Sequence, residues 1–160
     1  MKLYHGTNVA FDVIDINKSR PFKDFGQAFY VSADRQQAKD QADNKVFFFG
    51  GEPVVLEYEF DESVLLGSEL KIKTFQHYCL EWAQFVWDNR DDKRPISFEH
   101  DYDIVYGPIA NDTVGLQMRE FRRSHKDLQG FLEGLHYYKG ETFQYAFCSQ
   151  RAIDLLIPIR

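Results

Sequence analysis

The order of strand-like and helical runs along the chain predicts an α+β fold, a curved or split β-sheet edged by helices. Two observations carry this. Six runs have strand character, several of them too far apart to be simple hairpin partners, and the helical patterns between them lack the regular βα alternation of a doubly wound sheet. Internal repeats and low-complexity linkers are also missing from the 160 residues, which therefore read as one domain spanning 1–160.

The first strand is Lys2 to His5. The second, Gln27 to Ser32, places Phe29 and Val31 on one face and Ala28, Tyr30 and Ser32 on the other. Asp34 to Lys45 reads as a helix with Ala38 and Ala42 four apart, and Gly50-Gly51-Glu52-Pro53 breaks the chain before a third strand, Val54 to Phe60. Phe75 to Asn89 is an amphipathic helix with Phe75, Tyr78, Trp82, Phe85 and Val86 at helical spacing. A buried strand, Asp103 to Tyr106, leads to Ala110-Asn111-Asp112, where Asn111 or Asp112 caps a helix running to about Arg123. Ser124 is expected to cap a further helix with Leu128, Phe131, Leu132 and Leu135 on one face, before the last two strands, Phe143 to Cys148 and Leu155 to Ile159.

Fifteen Phe and nine Tyr supply the apolar material of a packed globule. A net charge of −6 repels nucleic acid, so any such contact has to be local. The two cysteines, Cys79 and Cys148, have neither CxxC spacing nor the density of a disulfide framework, which fits reduced thiols in a cytoplasm. No apolar signal core opens the chain and no run approaches a membrane span, so a soluble, cytoplasmic protein with no membrane partner is expected.

His5-Gly6-Thr7 ends the first strand with a ring nitrogen, a backbone free of Cβ obstruction and a hydroxyl, a corner suited to a small polar ligand. Alone, it reads more readily as a turn histidine beside a glycine needed for backbone reasons. Its counterpart is Phe25-Gly26-Gln27-Ala28-Phe29-Tyr30, whose Tyr30 brings a polar-tipped ring beside small residues. Other constellations fail. His77 and Glu81 are four apart, but no third ligand is spaced to join them, so no metal is expected. There is no GxGxxG or P-loop, and neither thiol sits in a Cys-His nucleophile signature. Arg119, Arg122, Arg123 and Lys126 form a basic stripe if one helix runs through Ser124, either a solvated face or a contact for phosphates or an acidic partner.

The His-Gly-Thr opening and the Phe-Gly-x-x-Phe-Tyr strand resemble the first two signature segments of the ADP-ribosyltransferase superfamily, in its poly(ADP-ribose) polymerase and diphtheria-toxin-like branch. More narrowly, the chain looks like a bacterial domain-of-unknown-function family of that superfamily found in toxin-like gene contexts. The likeness runs from Tyr4 to about Leu156 through Asp24-Phe25-Gly26, Phe29-Tyr30, Trp82 with Asn89-Arg90, Tyr102 to Gly107, Ala110-Asn111-Asp112 and Gln144 to Phe147. It implies an ADP-ribosyltransferase-like split β-sheet with flanking helices, and NAD as co-substrate without a metal.

By that resemblance His5, Tyr30 and Gln144 are the catalytic set. Gly6 would hold the nicotinamide carboxamide through its backbone, Tyr30 would stack on the ring, and His5 would bond a ribose hydroxyl; Thr7, Ser32 and Asn111 complete the cofactor-binding group. The superfamily commonly has a Glu as its third signature residue, and here Gln144 stands at the corresponding place, with Gln150 as second candidate. A glutamine carbonyl accepts the same hydrogen bond without a net charge, so Glu141 or Asp112 would have to supply one. The resemblance implies mono-ADP-ribosyl transfer to a macromolecular acceptor, in a toxin or effector that an antitoxin protein would inhibit. Protein is the favoured acceptor, given the negative charge, and nucleic acid the other. The alternatives are a catalytically weak NAD- or ADP-ribose-binding module, an NAD glycohydrolase, or a nuclease-like toxin using His5, Thr7 and the basic stripe; the acidic balance argues against the last.

Overall fold

The computed structural model describes residues 1–96, 98–137 and 140–159. The chain is mixed α+β, with two small sheets and five α-helices among the described residues. The first sheet, in the order β1-β3-β7, is antiparallel: β1 (Lys2–Thr7) pairs with β3 (Val54–Glu59), setting Leu3 opposite Tyr58 and Gly6 opposite Val55, and β7 (Ile157–Pro158) adds at the far edge. The second has the order β2-β6-β5-β4. Here β2 (Phe29–Val31), β6 (Phe143–Phe147) and β5 (Ile104–Pro108) are antiparallel neighbours, while β4 (Ile72–Thr74) runs parallel to β5.

Among the described residues the sheets meet at a single bridge, where Tyr4 and Ser32 exchange N–H···O bonds of 2.8 and 2.9 Å. Beyond it β1 and β2 diverge. Strand alternation packs both faces of the second sheet: Ile104 and Phe147 join Leu3, Phe29, Tyr58 and Phe60 in one core, while Val105 and Ala146 face Phe25, Trp82, Phe131 and Leu135 in the other.

Helix α1 (Arg35–Phe49) begins where the Asp34 side chain accepts from the Gln36 N–H and ends at Gly50, which has φ +72°. Its buried Ala38 and Ala42 lie against β1. Helix α2 (Leu80–Arg90) buries Trp82, Ala83 and Val86, and Trp82 Nε1 donates to the Pro108 carbonyl at 3.0 Å. Helices α3 (Val114–Arg122) and α4 (Leu128–Leu135) cover the second core, and α5 (Gln150–Ile153) is one short turn after β6.

Several boundaries differ from the sequence reading. Phe75 does not open α2, because its N–H donates to the Tyr106 carbonyl at 2.8 Å and prolongs the β4 edge; Cys79 occupies the N-cap instead. Helix α3 is capped at Thr113 rather than at Asn111 or Asp112, since Asn111 Oδ1 closes a local turn onto the Thr113 N–H. Ser124 has φ +57° and ends the helical path, and Asp127 caps α4 by accepting from the Gly130 N–H at 2.8 Å. Both cysteines are free thiols.

Candidate functional site

Where β1 and β2 diverge, a cavity of about 440 Å³ opens between the two sheets, beneath α1. His5 and Gly6 line it from β1, Tyr30 and Ser32 from the β2 strand and its end, Gln144 from β6, and Asn111 and Asp112 from the loop before α3. Sequence positions as far apart as His5 and Gln144 thus share one wall.

Gly6 is a glycine for steric reasons. A Cβ on it would stand 1.9 Å from the Ala38 carbonyl oxygen and 2.9 Å from the Ala42 nitrogen, so α1 can lie on β1 only over a bare backbone. Since Tyr4 directs both backbone groups to Ser32, Gly6, two residues on, directs its own to the same edge, past the end of β2. Its carbonyl there accepts from Lys45 Nζ at 2.6 Å. The edge of β1 thus presents a peptide group to the cavity with no strand opposite.

His5 stacks on Phe29 with centroids 4.5 Å apart and meets the edge of Phe11, and its Nδ1 lies 2.7 Å from the Tyr30 carbonyl oxygen. A carbonyl only accepts, so Nδ1 carries the proton and the neutral ring keeps a lone pair on Nε2. Burial, and next the nearby charge of Lys45, push its pKa down to about 4. At neutral pH His5 is an acceptor and not an acid.

The Tyr30 hydroxyl donates to the Gly26 carbonyl at 2.7 Å and accepts from the Phe25 N–H at 3.1 Å, fixing the ring. Burial and the Asp24 charge hold the phenol protonated, well above its ordinary range. Lys23 Nζ sits 4.9 Å from the ring centroid, a cation over the aromatic face.

Behind Gln144 lies a buried carboxylate. Asp24, 4% exposed, accepts from Arg90 Nε at 2.6 Å through Oδ1, and from the Ala110 N–H and Gln144 Nε2, each at 3.2 Å, through Oδ2. Because that carboxylate oxygen accepts, Gln144 turns its amide nitrogen inward, which leaves Oε1 as the atom offered to the cavity. The charge missing from Gln144 therefore stands one hydrogen bond behind it. Of the two expected sources, Glu141 is outside the cavity with His77 Nδ1 at 3.3 Å, while Asp112 lines it and accepts from the Tyr137 hydroxyl at 3.1 Å.

Other expected site residues are placed less centrally. Thr7 is buried outside the cavity, its hydroxyl turned back to the Val9 carbonyl at 3.2 Å. Ser32 lines the wall, but its Oγ donates to Gln37 Oε1 and accepts from the Asp34 N–H. The Asn111 amide is spent on structure, with Nδ2 donating to the Gly134 and His136 carbonyls, both at 2.8 Å. Gln150 lies outside the cavity, its Nε2 donating to Asp154 at the C-cap of α5, whereas Gln144 lines the cavity.

The basic stripe dissolves: the chain breaks at Ser124, Arg122 pairs with Asp91 at 2.7 Å, and Lys126 bonds Gln117. His77 and Glu81 face different partners, Glu141 and Lys73. Burial, then the Asp103 charge, push the Cys148 thiol up to about 12, which removes it as a nucleophile. No helix among the described residues is long and apolar enough to cross a membrane.

A family model described as a protein of unknown function (DUF3990) matches residues 1–157, which include every residue of the cavity wall. The chain belongs to the DUF3990 family. Comparison with curated proteins and with solved structures gives no match. In this DUF3990 chain, sequence reasoning passed over Lys23, Lys45 and the Asp24–Arg90 pair. The two lysines look like ordinary surface charges. Asp24 and Arg90 lie 66 positions apart, and the one available signal was that both stand in the hallmark segments of the family resemblance.

Proposed function

We propose that this chain is an NAD-dependent mono-ADP-ribosyltransferase of a single ADP-ribosyltransferase-like domain, which releases nicotinamide and passes ADP-ribose to a macromolecular acceptor. The observation that carries the reading is the joint wall of one cavity by His5, Gly6, Tyr30 and Gln144, set around a split between two sheets. Its volume, about 440 Å³, lies in the ordinary range for small-molecule and cofactor sites.

Once Lys45 leaves the Gly6 carbonyl and Lys23 the Tyr30 ring, the Gly6 edge offers an amide and a carbonyl to a carboxamide, and the pinned Tyr30 ring offers a flat face to a pyridine. His5 Nε2 accepts from one ribose hydroxyl and Gln144 Oε1 from another. As the bond from ribose C1′ to the nicotinamide nitrogen breaks, the electron pair leaves with nicotinamide and positive charge builds at C1′. The acceptor's lone pair then forms the new bond there, and its proton passes to solvent. Fixed acceptors aimed at the sugar, with the Asp24 carboxylate behind one of them, favour that charge without reorganising. A protein acceptor and an inhibitory antitoxin partner follow from the same reading.

Incubation with adenine-labelled NAD, with and without a cell lysate as acceptor, tests it. Nicotinamide release with label in macromolecules is the expected result. Release without labelling indicates a glycohydrolase, and binding without release a recognition module. Absence of both binding and release removes the reading.

A further inference from the structure

We propose that Lys23 and Lys45 form a clamp for the diphosphate of the ligand, so that the cavity takes a pyrophosphate-bridged nucleotide rather than a nucleoside or a free pyridine. The inference rests on the dinucleotide reading of the cavity. Lys45 continues the inward stripe of α1, at i+7 and i+3 from Ala38 and Ala42, and reaches down to the Gly6 carbonyl; Lys23 reaches in from the loop before β2 to the Tyr30 face. Both ammonium groups line the cavity, and neither forms a salt bridge among the described residues. Of the two carboxylates on the wall, Asp24 is taken by Arg90, Ala110 and Gln144, and Asp112 accepts from the Tyr137 hydroxyl.

Two half-buried cations on one cavity wall with no salt bridge of their own are costly unless an anion joins them. Burial, then the charge of Lys23, brings Lys45 down to about 8, and burial with the charges of Arg20 and Arg90 lowers Lys23 against the opposing pull of Asp24. Their present contacts, a carbonyl oxygen and a ring face, are also the two surfaces a nicotinamide would need. A lysine's flexible four-carbon stem can carry its Nζ from either surface to a phosphate one ribose away. The diphosphate would then draw both lysines off the pyridine site as it binds.

Calorimetric titration of the whole chain with inorganic pyrophosphate and with ADP-ribose tests the clamp in wild type, Lys23→Met, Lys45→Met and the double variant, with far-UV circular dichroism to establish folding. Each substitution is expected to weaken both ligands about tenfold or more, and the double variant to lose most of the salt dependence of binding. Unchanged affinity in a folded double variant, or no binding of either ligand to wild type, overturns the clamp. The outcomes separate from those of the transferase reading. Lysine-dependent ADP-ribose binding without NAD cleavage keeps the clamp and removes the enzyme; NAD cleavage with unaltered KM in the double variant removes the clamp and keeps the enzyme.

Discussion

Replacing Asp24 by Asn tests whether the buried carboxylate acts on the site through Gln144. The carboxylate receives three donors, from Arg90, Ala110 and Gln144, at 4% exposure. A carboxamide of the same shape has one acceptor oxygen. If that oxygen stays with Arg90, the new NH2 faces the Ala110 N–H and Gln144 Nε2, donor against donor. Gln144 can relieve its part by rotating its amide half a turn, but the Ala110 N–H remains without an acceptor in a buried position, at a cost of about 1–3 kcal/mol. With the loss of the charge opposite Arg90, the total approaches the roughly 3–5 kcal/mol typical of breaking a buried ion pair. For a chain of this size a loss of about 3 kcal/mol lowers the melting temperature by roughly 6–12 °C.

The rotation of Gln144 has the functional consequence. It would turn Nε2 toward the ribose where Oε1 had been, exchanging an acceptor for a donor and removing the charge behind it. Nicotinamide release is therefore expected to fall about 10²-fold in kcat, by analogy with the loss of one preorganised hydrogen bond at a reacting centre, with a smaller change in KM. The assay is steady-state nicotinamide release well below the variant's melting temperature, for Asp24→Asn, Gln144→Leu and the pair. If Asp24 acts through Gln144, the double variant is no slower than Gln144→Leu alone. Wild-type kcat in folded Asp24→Asn, or losses that multiply in the double variant, would refute the coupling.

His5 makes stability pH-dependent: unfolded it protonates below about 6.5 and folded only below about 4, so in that window the unfolded state holds more protons and stability falls as pH falls. The loss amounts to about 3 kcal/mol, and urea midpoints for His5→Gln should lack it; an equal acid slope in that variant assigns the effect elsewhere. Gly6→Ala should destabilise by about 3 kcal/mol or more, because its Cβ would stand 1.9 Å from the backbone oxygen of Ala38, and a wild-type midpoint in chemical denaturation would contradict the packing of α1 on β1. Gln144→Glu is expected to lower both stability and nicotinamide release at neutral pH, since a second carboxylate would stand about 3.2 Å from Asp24; release above wild type would show that Asp24 does not serve as the site's charge.

The α+β class was legible from the unequal spacing of strands, and both core faces from the alternation of Phe29 with Tyr30 and from the Trp82–Val86 pattern. Local chemistry hid the rest. Ile72–Thr74 is too short and too polar to announce a strand, and takes its order from pairing with β5. Phe75 has helical spacing to Tyr78 and Trp82, yet its N–H belongs to the sheet. Nothing around Ser124 signals a left-handed residue, for serine rarely adopts one, so a single helix through it, and with it the basic stripe, stayed open beside the reading of Ser124 as a cap. On the cavity wall, His5, Gly6 and Tyr30 were legible because each stands in a short strand motif that carries the family resemblance, whereas Lys23, Lys45 and the Asp24–Arg90 pair acquire meaning only from contacts between distant segments.

The same contacts give a physical account of the glutamine on β6. A glutamate at position 144 would share a partly buried corner with Asp24, and two carboxylates at that separation cannot both stay ionised at modest cost. With Asp24 already committed to Arg90 and the Ala110 amide, a neutral residue that donates inward and accepts outward is the one that satisfies both neighbours. Gln144 meets this with a single side chain: Nε2 answers the buried charge and Oε1 carries an acceptor, polarised by that charge, into the cavity. On the proposed reading, the Asp24 charge would then stand behind the acceptor, set back by the length of an amide. In a transferase of the proposed kind, the field at the reacting carbon would be weaker than that of a direct carboxylate, while the hydrogen bond to Asp24 would fix the orientation of the acceptor.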